Sequence, residues 1–152
     1  DIVSGGVNDV LIAALGASSD AALDEEGCGR IGRLDKPVSM KSFLSRCKTV
    51  LNAKGLRYYD AGREVDRIAV MGGSGGECVA RAFQLGCDTY VTADIKYHQF
   101  LLASELGINL IDADHFCTEN PITPELPGNP RAAFPELSFE ISERHHPIVD
   151  FL

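Results

Sequence analysis

Two periodicities of apolar residues divide the chain. Met40, Phe43, Leu44, Cys47, Val50 and Leu51 recur at helical spacing. Ser39 is placed to cap that stretch and Gly55 marks its end. A shorter helix is expected over residues 7–15, between Gly5-Gly6 and Gly16. Residues 17–38 are rich in Gly, Ser, Asp and Arg and read as a loop. From residue 56 short apolar runs alternate with helical segments. Strands are expected at 56–59, 67–71, 89–92 and 108–111, and helices at 77–85 and 96–106. Strand, helix, strand, helix, strand at these lengths indicates a parallel α/β sheet. Five prolines between residues 120 and 135 indicate a surface loop with a short helical turn. Alternation over 137–141 suggests a last strand.

Composition narrows the class. With 152 residues, 45% hydrophobic and 24% charged, the chain is ordinary globular material. Its net charge of −8 disfavours general binding to nucleic acid or anionic membranes. No apolar stretch approaches the ~20 residues that span a bilayer. The five cysteines, Cys28, Cys47, Cys78, Cys87 and Cys117, show no C-x-x-C spacing, and three lie in apolar helical contexts. That suits buried thiols in a reducing, cytoplasmic compartment. The chain opens on Asp1, not Met, and reads as a fragment or processed product of something longer.

Candidate chemistry gathers at two strand ends. His115 and Glu119 follow the last parallel strand. On a helix their Cβ atoms would lie ~6 Å apart on one face, close enough for both side chains to bind one cation. The alternative is a capped turn with a solvated glutamate. Asp94 and His98 follow the neighbouring strand, with the same spacing of four, and suit substrate orientation or proton transfer. The alternative is a plain helix cap and a surface histidine. Gly72-Gly73-Ser74-Gly75-Gly76 suggests either a phosphate-binding turn or a tight strand-to-helix connection; it lacks a Walker ending. His145-His146 is expected to be a solvent-exposed pair.

Five segments, in order, carry a family resemblance: Asp1 with Gly5-Gly6-Val7-Asn8-Asp9, Gly29-Arg30-Ile31-Gly32, Gly72-Gly73-Ser74-Gly75, Thr92 to His98, and Asp114 to Glu119. Together they resemble the GTP cyclohydrolase 1 type 2 homologues, the Nif-three-like dinuclear-metal proteins. The resemblance implies a layered αβα sandwich with a mainly parallel or mixed sheet. It makes residues 1–152 a single α/β region, the C-terminal portion of a two-lobed protein whose N-terminal half is absent. It implies two divalent metal ions (Zn, Mn, Fe, Co or Ni), with Asp1, His115 and Glu119 as ligands. It also implies a toroidal homohexamer and a hydrolase acting on a nucleotide such as GTP or on a phosphoester, Asp94 and His98 serving as catalytic groups. The alternatives are a non-catalytic metal-binding or interaction module of a ring, and a nucleotide-binding protein that uses the glycine loop without metal. Two positions depart from the family pattern: Ala93 and Asp114 each stand where glycine is usual. Asp114 is a candidate partner for His115. The free α-amino group beside Asp1 opposes a cation, so weak or empty metal sites are expected in this chain alone.

Overall fold

The computed structural model describes residues 2–126 and 128–152. Helix α1 (Val7–Ala14) leads into strands β1 (Ala17–Ala21) and β2 (Arg30–Val38). Helix α2 (Met40–Val50), strand β3 (Arg57–Tyr59) and strand β4 (Val65–Ser74) follow. A 3₁₀ turn then enters α3 (Val79–Gln84), succeeded by β5 (Thr89–Ala93), α4 (Tyr97–Leu106) and β6 (Asn109–Asp112). The chain continues through α5 (His115–Glu119) and a 3₁₀ turn to α6 (Gly128–Ala133). Residues 134–152 add neither strand nor helix.

The six strands form one mixed sheet in the order β1-β2-β4-β5-β6-β3. β4, β5 and β6 run parallel, with Val70 opposite Val91 and Val91 opposite Ile111. Every residue of β5 and β6 is buried, as expected for parallel strands covered on both faces. Side chains alternate between those faces. Ile68, Val70, Val91 and Ile111 pack in one cluster with Leu11 of α1 and Phe43 of α2. Ala69, Tyr90 and Leu110 pack in the other with Val79 of α3 and Ala103 of α4. The result is a layered αβα sandwich.

Two expectations fail. Residues 17–38 are not a loop: β1 and β2 extend the sheet by antiparallel pairing, Gly32 lying opposite Ser19 and Ile68. Charged side chains on this part of the sheet meet across strands, Arg33 with Asp66 and Arg67 with Asp20, so its sequence looks like surface. Residues 137–141 form no strand; they lie outside the sheet.

Candidate metal centre

The parallel strands deliver chemistry at their carboxyl ends, where open α/β sheets bind ligands. β5 ends at Ala93 and β6 at Asp112, and each is followed within two residues by an aspartate of positive φ, Asp94 at 55° and Asp114 at 69°. The sharp turns bring Asp94 and His115 together: Asp94 Oδ2 lies 2.6 Å from His115 Nδ1. A carboxylate can only accept, so Nδ1 carries a proton, and in the neutral ring Nε2 keeps its lone pair. That Nε2 lies 3.5 Å from Glu119 Oε1, one helical turn on. Two donors bonded to one tetrahedral cation at about 2.0–2.2 Å stand at about this separation. The donor chemistry therefore fits a divalent metal. Among the described residues no third His, Cys, Asp or Glu converges on the pair. Asp1 lies outside the described residues.

Asp94, not Asp114, is the partner of His115. Asp114 instead caps α5, its Oδ1 accepting from Cys117 N at 3.2 Å. The positive φ near Ala93 falls one residue later, on Asp94, so the missing glycine is no obstacle there.

The glycine loop is built into this centre. Gly73 has φ +69°, and a Cβ on it would stand 2.7 Å from Glu119 Oε1 and 3.1 Å from His115 Nε2. Its N–H donates to Thr118 Oγ1 and its carbonyl accepts from Thr92 Oγ1, both at 3.0 Å. Gly72 N–H donates to Asn8 Oδ1 at 2.8 Å. The N–H groups of Gly72 and Gly73 are thus spent inside the protein. At Gly73 the loop provides close approach to the His115–Glu119 pair. The Gly-Arg-Ile-Gly segment ties the start of β2 to α1: the buried Arg30 pairs with Asp9 of α1 and donates to the carbonyls of Gly27 and Gly29.

The Asp94 hydrogen bond raises the pKa of His115 above its ordinary 6.5, helped by the charges of Glu119, Asp94 and Asp114 and opposed by partial burial. A proton on Nε2 therefore competes with a cation. Burial pushes the thiols of Cys47 up to about 12 and of Cys87 and Cys117 to about 11, which keeps them protonated at neutral pH in the absence of a metal.

The pair opens into a cavity of about 760 Å³, within the range of small-molecule sites. His98 is exposed on the first turn of α4 and does not line it. His145 and His146 are solvent-exposed, as expected, and they also line the cavity. His145 packs on Phe116 with ring centroids 4.9 Å apart, and its Nε2 lies 2.9 Å from Asn120 Oδ1. Sequence reasoning also missed Thr118 and Asn8, which brace the loop, and Arg57, which pairs with Asp112 beside the site. Asn8 and Thr118 stand inside the motif segments, whereas nothing in the sequence around Arg57 marked it.

The family model described as Duf34/NIF3 (NGG1p interacting factor 3) matches residues 1–147. The chain belongs to the Duf34/NIF3 family. A GTP cyclohydrolase 1 type 2 homolog of Clostridium perfringens is 34% identical over 129 residues, 80% of this chain and 49% of that protein. One from Nostoc is also 34% identical, over 128 residues. The chain spans about half the length of these curated Duf34/NIF3 relatives. Among solved structures, a hypothetical protein of Staphylococcus aureus superposes with a TM-score of 0.87 at 23% identity, covering all of this chain and 66% of that one. Reduced HcgD from Methanocaldococcus jannaschii gives 0.73 at 26% identity, over 87% of this chain and 53% of HcgD. No helix among the described residues is long and apolar enough to cross a membrane.

Proposed function

We propose that this chain contributes His115 and Glu119 to a dinuclear divalent-metal centre, and that the centre belongs to a hydrolase acting on a nucleotide or phosphoester. One observation carries the proposal: Asp94 holds the proton on Nδ1 of His115 and leaves Nε2 facing Glu119 at 3.5 Å. A carboxylate behind the imidazole is the arrangement that orients metal-ligating histidines and raises their basicity. Asp1 joins the donor set by resemblance. Divalent ions held there lower the pKa of coordinated water towards 7. Asp94 orients the ring, Gly73 leaves room above it, and His98 is the proposed proton carrier. The names of the curated relatives make GTP the first substrate to try. A toroidal homohexamer is the proposed assembly.

The test is metal content and cobalt absorbance of the purified protein. His115→Ala and Glu119→Ala should each lower affinity at least tenfold, with far-UV circular dichroism unchanged. Asp94→Asn should cost ~10–100-fold. Wild-type affinity in both ligand variants would sink the proposal.

The alternative, a metal-binding module of a ring without turnover, is favoured by one fact: His98 does not line the cavity. Turnover lost in His98→Ala with metal retained supports the hydrolase; a wild-type protein that binds metal and hydrolyses no nucleotide supports the module.

A further inference from the structure

Part of the cavity wall comes from the far end of the chain. Residues 144–149 and Phe151 line it together with Asp94, His115 and Glu119. This strap is tied down at three points. His145 packs on Phe116, Asp150 pairs with Lys54, and the Phe151 ring lies over Gly55, where a Cβ would meet its Cδ1 at 2.6 Å.

The charges around the cavity are unevenly committed. Four carboxylates, Asp94, Asp112, Asp114 and Glu119, face two guanidinium groups, Arg57 and Arg144. Arg57 is occupied: it pairs with Asp112, donates to Ile95 O at 2.5 Å and lies over the Phe100 ring. Asp94 is bonded to His115, and Asp114 caps α5. Arg144 differs. Its backbone N–H donates to Ser142 Oγ at 3.2 Å, but its guanidinium makes no hydrogen bond or ion pair among the described residues. His146 has only Nδ1 engaged, 3.1 Å from Pro147 O. Beside them Ile148, Val149 and Phe151 give the same wall an apolar surface.

A chain of net charge −8 repels anions in general. An uncommitted guanidinium at the mouth of its cavity marks the point where one is admitted, because its planar fork matches phosphate oxygens in pairs. We infer that the strap of residues 144–151 is the substrate-recognising wall, that Arg144 is its phosphate-binding residue, and that the ligand is a small organic phosphate whose apolar body rests on Ile148, Val149 and Phe151. His146 supplies a second donor to the same phosphate. This rests on the function proposed above and names the substrate class of that site. The four carboxylates and two guanidiniums leave a formal charge of −2. One bound divalent cation cancels it, so phosphate binding is strengthened by metal.

The experiment is calorimetry of the full-length protein with GTP, guanosine and inorganic phosphate, in saturating Mn²⁺ and again in excess chelator. Metal content is measured in parallel. Wild type should bind GTP and phosphate more tightly with Mn²⁺. Arg144→Ala should weaken both at least tenfold in either condition, leave guanosine unchanged and leave metal content unchanged. His146→Ala should weaken GTP several-fold. Arg144 is exposed, so the variant should fold as wild type does. The inference is overturned if Arg144→Ala binds GTP and phosphate as wild type does, or if wild type binds neither. Should Arg144-dependent phosphate binding persist in a protein that takes up no metal, the strap assignment stands and the metal-centre proposal falls.

Discussion

The space above the metal pair exists because position 73 has no side chain. A Cβ there would press on both Glu119 Oε1 and His115 Nε2, and the φ of +69° would strain any L residue by about 1–2 kcal/mol. Gly73→Ala should therefore lower metal affinity at least tenfold while the melting temperature falls only a few degrees; unchanged affinity would remove Gly73 from the site. Asp114 raises a different balance. Its backbone, φ 69° and ψ 138°, lies where glycine is at ease and other residues are not, a strain of about 1–3 kcal/mol. Against that, its carboxylate caps Cys117 N–H, worth about 0.5–2 kcal/mol. The two effects nearly cancel, which is how an aspartate can occupy a position usual for glycine. Asp114→Ala loses the cap and keeps the strain; Asp114→Gly loses both. The glycine variant should be the more stable of the two by about 1 kcal/mol or more, measured by urea denaturation. The reverse order would show that the left-handed backbone is not strained.

Between elements, the Asp9–Arg30 pair is the link that sets α1 against β2. Arg30 is nearly buried, and its hydrogen bond holds the Asp9 carboxyl below the usual 3.8, against the opposing effect of burial. A lowered folded-state pKa contributes stability that is fully present above 3.8 and is lost as the pH falls through the folded value. Acidification below pH ~4 should thus destabilise wild type more steeply than Asp9→Asn, whose stability at neutral pH is already lower. Equal slopes in denaturation at pH 2–5 would mean that the pair contributes nothing. This element pair also shows where the sequence was legible. β4, β5 and β6 were readable because their central residues, such as Ile68, Ala69 and Val70, Tyr90 and Val91, and Leu110 and Ile111, are covered on both faces and run apolar without a break. α2 and α4 were readable from their apolar spacing and the left-handed Gly107 that ends α4. β1 and β2 were not, since four of the five β1 residues are exposed and β2 carries Gly32 and Pro37. Gly32 looked like a loop signal, yet it is required by the Ser18 carbonyl, which would lie 2.1 Å from a Cβ. The His115–Glu119 pairing was visible in the spacing of four. The bond from Asp94 was not, because it joins two strand ends through the sheet order.

At the scale of the molecule, a well-packed body carries a lightly attached strap. The body has two apolar clusters, one on each face of the sheet, containing fully buried residues such as Phe43 and Tyr90. The strap has no backbone pairing to the sheet; Phe151 keeps 46% of its surface exposed, and the Lys54–Asp150 pair is an exposed one that salt screens. One of the contacts that seat the strap is the fit of the Phe151 ring against Gly55. Gly55→Ala puts a Cβ within 2.6–2.9 Å of three ring atoms, so the ring has to leave. Gly55 has no left-handed backbone to be strained by the change, and the body does not depend on it. The variant should keep the wild-type melting temperature within about 2 °C, since ~0.5 kcal/mol or less is expected for a surface substitution. Trypsin, however, should cleave after Arg144 several times faster, and GTP should bind more weakly with metal content unchanged. Phe151→Ala reaches the same loosened strap by removing the ring in place of displacing it, so both variants should cleave alike. If neither is cleaved faster than wild type, the strap is held by something other than this contact.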